Sequence, residues 1–118
     1  MIVERKKINK PWGHEIIWAH CKKFVGKILC INRGHKLSRQ YHKVKEETIL
    51  VLSGTLSLEI GKGEEVERII LKNGQSFHIK PGLVHRFCAI YGDVELAEVS
   101  TPEIEDVVRI EDDYDRAK

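Results

Sequence analysis

Three side chains able to bind a metal ion through nitrogen or oxygen lie close together between Gln40 and Glu47: the Gln40 amide, the His42 imidazole and the Glu47 carboxylate. Along an extended strand, side chains alternate between faces. Gln40 and His42 therefore share one face, with Arg39 and Tyr41 on the other; on the strand that follows, Glu47, Ile49 and Val51 share a face. Such a polar face meets either solvent or the interior of a barrel. The interior is open to it here because Thr48, Leu50 and Leu52 can supply an outward face packed on another sheet. Glu98 lies midway in the apolar run ELAEV, where a carboxylate is expensive to bury without a role or a partner. It is a candidate base, or else an edge residue in a salt bridge. Cys21, Cys30 and Cys88 are odd in number and form no C-x-x-C pair, and Cys30 and Cys88 sit in apolar runs, so we read them as small hydrophobes rather than nucleophiles.

These residues need strands to position them, and the chain is written in strands. His14–His20, Lys27–Asn32, Lys36–His42, Thr48–Leu52 and Thr55–Ile60 alternate or are rich in β-branched and aromatic residues, as are Val66–Leu71, Gln75–Ile79, Val84–Ile90 and Val94–Val99. Turn residues separate them, among them Ser53-Gly54, Asn73-Gly74, Pro81-Gly82 and Gly92-Asp93. Short strands at regular spacing with glycine at the corners predict an antiparallel sandwich or barrel. The 118 residues suit one domain over residues 1–118. Its acidic extension, about 103–118, is expected to dock through Val107, Val108 and Ile110 or to form a short helix, with Glu111-Asp112-Asp113 as solvated surface. The net charge of +2 gives no argument for a nucleic-acid or membrane partner, and the basic opening MIVERKKINKPWG has no apolar stretch behind it. The expected setting is the cytoplasm, with reduced thiols.

The run from Gly34 to Gly54 resembles the first cupin motif. Gly34, His42, Glu47 and Gly54 fall in register, and Gln40 stands where the first of two histidines is usual. The run from Gly74 to His85 resembles the second, with Gly82 and His85 in register and Pro81 displaced by one position. The resemblance implies an all-β cupin (RmlC-like) jelly-roll β-barrel. It also implies that His85 joins Gln40, His42 and Glu47 around one divalent ion, such as Zn²⁺, Mn²⁺, Co²⁺, Ni²⁺ or Fe²⁺, with positions left for water or substrate.

The stretch LSRQYHKVKEE is similar to the L-S-x-Q-x-H stretch of mannose-6-phosphate isomerases, above all to the C-terminal cupin domain of enzymes that join mannose-1-phosphate guanylyltransferase to mannose-6-phosphate isomerase. Lys10–Gly13 resembles their R-P-W-G, Gly82–Arg86 their G-V-V-H-R, and Asp106–Arg116 their closing D-I-V-R-x-E-D-x-Y-G-R. Arg39, Tyr41 and Thr48-Ile49 depart from the family pattern, and these residues include no nucleotidyltransferase segment, so guanylyl transfer is not expected of them.

The resemblance implies aldose–ketose isomerisation of a small sugar phosphate. That reaction needs a base, a group to stabilise the enediolate, and cations for the phosphate. Lys45 is assigned to substrate charge or proton handling. Arg86 is assigned to the phosphate or enediolate, provided a bend turns it toward the side of His85. A non-catalytic sugar- or metal-binding cupin and a metal-dependent cupin enzyme acting on another sugar are the alternatives. Cupins commonly dimerise, so a homodimer is expected. His35 and His78 are expected in turn or surface roles, His14 and His20 as structural or exposed residues, and Trp12 and Trp18 in packing rather than sugar stacking.

Overall fold

The computed structural model describes residues 1–117, and Lys118, the last residue of the expected extension, lies outside the described residues. The strands are β1 (Lys6–Lys10), β2 (Gly13–His20), β3 (Val25–Ile31), β4 (Arg39–Tyr41), β5 (Glu47–Ser53), β6 (Thr55–Ile60), β7 (Glu67–Lys72), β8 (Ser76–Ile79), β9 (His85–Cys88), β10 (Val94–Ser100) and β11 (Val108–Glu111). Six form one sheet in the order β1-β2-β3-β10-β5-β8, and five form the other in the order β11-β4-β9-β6-β7. The pairs are antiparallel. The all-β expectation therefore holds.

The inward faces meet in one apolar core. Leu29 and Ile31 of β3, Ile49 and Val51 of β5 and Leu96 of β10 pack with Leu56 and Leu58 of β6 and Phe87 of β9. Period-two alternation continues this face into polar residues at the strand ends, so Glu47 at the head of β5 is buried along with Ile49 and Val51. Two turn glycines fix the connections between strands. Gly54, between β5 and β6, has φ +82°, and a Cβ there would lie 2.2 Å from the Asp93 carbonyl oxygen, so only glycine fits. Gly82 (φ +84°) donates its N–H to the His42 carbonyl at 2.7 Å, joining the two segments that resemble cupin motifs.

Three details differ from the sequence expectation. Lys6–Lys10 forms β1, although its Lys- and Asn-rich composition carries little strand signal; pairing with β2 decides its conformation. The outward face of β5 does not pack on another sheet of the described chain: Leu50 is 37% exposed, because both sheets spend their apolar faces on the single shared core. The extension docks as a strand, not a helix. β11 pairs antiparallel with β4, Val108 opposite Tyr41 and Arg109 opposite Gln40.

Candidate functional site

The far edge of the five-stranded sheet assembles the site. Gln40 on β4 stands opposite His85 on β9, His42 follows directly after β4, and Glu47 opens β5. His42 Nε2 lies 2.9 Å and His85 Nε2 3.7 Å from Glu47 Oε1. All three side chains are buried, with relative exposures of 3%, 1% and 2% for His42, His85 and Glu47. Their donor atoms lie within 4.8 Å of one another. Gln40 faces the same cavity as His42, and its Oε1 accepts the Ser38 hydroxyl at 2.7 Å.

The second ring nitrogens define the tautomers. His42 Nδ1 lies 2.6 Å from the Asp106 carbonyl, and His85 Nδ1 lies 2.9 Å from the Leu83 carbonyl. A carbonyl oxygen only accepts, so each Nδ1 carries the hydrogen. In a neutral imidazole each Nε2 then presents a lone pair toward Glu47, and two acceptors at 2.9 Å need a proton or a cation between them. Glu47 Oε2 and His85 Nε2 are moreover buried without any hydrogen-bond partner. The donor set and its two unmet atoms fit a divalent metal ion.

Lys45 turns inward from its loop and is 5% exposed. Its Nζ lies 3.3 Å from Glu98 Oε2 and 4.0 Å from Glu47 Oε2. Burial, reinforced by the neighbouring Glu47 charge, pushes Glu98 up to about 8 against the pull of Lys45. For Glu47, burial acts upward, but the close contacts with His42 and Glu98 and the charge of Lys45 outweigh it and hold the carboxyl well below the usual range. Burial holds His85 below the ordinary histidine value, opposed by Glu47. Glu98 is thus a buried partner of Lys45 beside the histidine cluster.

Arg86 is not brought to this group. β9 runs in regular register, Arg86 opposite Glu59 and His85 opposite Ile60, so no bend turns Arg86 to the side of His85. Its Nε donates to the Leu37 carbonyl at 2.8 Å, one Nη meets Asp113 at 2.7 Å and the other lies 3.6 Å from Glu111. The acidic extension is therefore more than solvated surface: Glu111 and Asp113 bind Arg86, and the Asp112 side chain is fully buried against Arg116. His35 bonds Tyr114, and His78 bonds Thr48 and Glu46, both outside the cluster.

Sequence reasoning missed Asp106 and Arg109. The Asp106 carboxylate accepts the backbone N–H groups of Lys43, Val44 and Lys45 at 3.1, 2.7 and 2.8 Å, which holds it down to about 2. One residue thus clasps the loop between His42 and Glu47 with its side chain and orients the His42 ring with its carbonyl. The only sequence signal was the run DVVR itself; no charge or periodicity pattern ties it to residues 43–45. Arg109 reaches the same cavity from β11.

The cavity is about 410 Å³, with walls that include Trp12, Leu29, Leu37 and Phe87. Trp12 is a core residue as well as a wall, while Trp18 lies half-exposed over Gly26. Lys10, Lys27, Lys45, Arg109 and Arg116 line the cavity against Glu15, Glu98 and Glu105, a cationic excess at the mouth of a buried donor cluster. This arrangement suits a small, polar, anionic ligand that reaches the cluster from one side.

The family described as mannose-6-phosphate isomerase C-terminal matches residues 2–112. The xanthan biosynthesis protein XanB of Xanthomonas campestris pv. campestris is 34% identical over 115 residues, which cover 94% of this chain and 24% of that protein. The chain thus spans about a quarter of the length of the curated relatives it matches. Among solved structures, the capsular polysaccharide assembling protein CapF of Staphylococcus aureus superposes with a TM-score of 0.80 at 14% identity, over 92% of this chain and 32% of that one. An RmlC-like cupin from Shewanella frigidimarina superposes with a TM-score of 0.73 at 14% identity, over 86% of this chain and 87% of that one. At these identities the structural likeness establishes the cupin fold alone.

Proposed function

The chain belongs to the mannose-6-phosphate isomerase C-terminal family, and from that premise we propose that it is a metal-dependent aldose–ketose isomerase interconverting mannose 6-phosphate and fructose 6-phosphate. The observation that carries this reading is the buried His42–Glu47–His85 cluster beside a cavity of cationic excess. His42, Glu47 and His85 would hold one divalent ion, with the Gln40 amide oxygen as a fourth donor; Zn²⁺, Mn²⁺, Co²⁺, Ni²⁺ and Fe²⁺ all suit nitrogen and oxygen donors. When bound, such an ion polarises the carbonyl and hydroxyl oxygens of a sugar.

The protein's own groups supply the rest. Lys45, held between Glu98 and Glu47, presents charge or a proton at the inner end of the cavity. Glu98, buried with it and lining the cavity, is a carboxyl able to exchange a proton with substrate through that end. Trp12, Leu37 and Phe87 narrow the space available to water. Arg86 holds the extension rather than the substrate in this reading.

One observation favours a second reading, a sugar- or metal-binding cupin without catalysis. Of the two cations expected to serve the substrate, only Lys45 faces the cavity. We also read the chain as one cupin unit that forms a homodimer, a reading supported by the half-exposed Trp18, Phe24, Leu50 and Val99.

A coupled assay of mannose 6-phosphate and fructose 6-phosphate interconversion, run with each of the five ions, tests the isomerase reading. Turnover is expected with at least one ion. Lys45→Met should keep the metal and lose on the order of a hundredfold in turnover, the usual scale of a positioned acid or base. Silence with all five ions overturns the isomerase and favours the binding protein.

A further inference from the structure

Arg109 stands opposite Gln40 on the neighbouring strand, and Gln40 stands opposite His85. The three form one cross-strand row of the five-stranded sheet, with the histidine cluster at one end and Arg109 at the other. Neighbouring strands lie about 4.8 Å apart, so the Arg109 and His85 backbones are separated by roughly 10 Å. Arg109 and Gln40 line the same cavity.

The other cations of that cavity are matched by carboxylates. Lys10 and Lys27 share Glu15 at 3.8 and 3.5 Å, Lys45 meets Glu98 at 3.3 Å, and Arg116 meets Asp112 at 2.7 Å. Among the described residues Arg109 makes no ion pair, and its Nε is buried without a hydrogen-bond acceptor. Folded proteins rarely leave a buried donor unmet, and a guanidinium fork is shaped for two oxygens of one anion.

We propose that Arg109 anchors the anionic end of the substrate, a phosphate monoester on a sugar, while the opposite end of the sugar reaches the His42–Glu47–His85 cluster. The assignment rests on the isomerase reading and deepens it. A six-carbon sugar phosphorylated at one terminus has its carbonyl end several ångströms away, which is the separation this row provides. The length of the row then sets which substrates react: a shorter sugar phosphate held at Arg109 leaves its carbonyl short of the cluster.

Isothermal titration of Arg109→Gln, Arg109→Lys and the unaltered protein, metal-free and Zn²⁺-loaded, tests this with three probes: mannose 6-phosphate, mannose and inorganic phosphate. Arg109→Gln should weaken mannose 6-phosphate binding by about tenfold to a hundredfold, the scale of a charge-assisted hydrogen bond, and leave mannose unchanged. Arg109→Lys should recover part of the loss, and the thermal midpoints of the three proteins should agree. Equal mannose 6-phosphate affinity in the unaltered protein and Arg109→Gln overturns the anchor while leaving the isomerase reading intact. If the unaltered protein ignores mannose 6-phosphate, the isomerase reading falls. Inorganic phosphate then decides for Arg109: binding lost in Arg109→Gln keeps it as an anion site, and no binding at all overturns it.

Discussion

Adding a divalent ion should raise the thermal stability of this protein steeply, and replacing His85 by leucine should abolish the rise without destabilising the metal-free protein. Without metal, the histidine–glutamate cluster holds two buried unpartnered atoms, Glu47 Oε2 and His85 Nε2. Each costs about 1–3 kcal/mol in desolvation. A bound ion would give the cluster the cation it lacks and stabilise the native state by about 2.7 kcal/mol at a hundredfold excess over its dissociation constant. With an unfolding entropy of about 0.25 kcal/mol per kelvin for a chain of this length, the midpoint should rise by about 11 °C. His85→Leu removes the orphaned Nε2 and also the 2.9 Å bond to the Leu83 carbonyl. The second loss, about 1 kcal/mol, offsets part of the first gain and leaves a net of about 0–2 kcal/mol, so the metal-free midpoint should rise by no more than about 8 °C. Scanning calorimetry with and without each ion, and with a chelator, reads both quantities. An equal rise in the unaltered protein and in His85→Leu would place the ion elsewhere and refute the argument. So would the absence of any rise in the unaltered protein.

Two further outcomes follow from the extension. The Asp106 carboxyl titrates at about 2 in the folded chain, below the ordinary aspartate value of about 3.9, so its contribution is complete above about pH 4 and is lost as the pH falls toward 2. Thermal midpoints measured through that window should decline less steeply in Asp106→Asn than in the unaltered protein, and identical slopes would show that the clasp on residues 43–45 adds nothing. Arg86→Gln should cost about 2 kcal/mol and speed hydrogen exchange over Val108–Glu111 while leaving the metal-induced rise in place; loss of that rise would show that Arg86 and the extension support the histidine cluster.

Much of this was legible in the sequence, and the reasons differ by residue. Gln40 and His42 could be set on one face because strand alternation is local, and Glu47 could be set with Ile49 and Val51 for the same reason. His85 came only through its resemblance to a cupin motif, since nothing in a sequence states that β9 will lie beside β4. Arg86 went astray at the same step: the motif placed it next to His85, and regular alternation then turned it to the opposite face, where Asp113 and Glu111 take it. Asp106 and Arg109 were missed because their roles exist only once β11 pairs with β4. Lys6–Lys10 was missed because its side chains carry little strand preference of their own. For Asp106, Arg109 and Lys6–Lys10 a long-range pairing, rather than a local propensity, made the decision.

The bond between the His42 ring and the Asp106 carbonyl joins residues 64 positions apart. A ribosome makes the chain from its N-terminus, so Gln40, His42, Glu47 and His85 all exist before Asp106 does. During that interval the four donors belong to a loose chelator: the His42 tautomer is not fixed and the loop from Lys43 to Lys45 is unclasped. Such a chelator would choose among ions by the Irving–Williams order and by which ions are at hand. Only when the last strand has docked would geometry begin to choose, and an ion captured early would then have to fit the finished site or leave it.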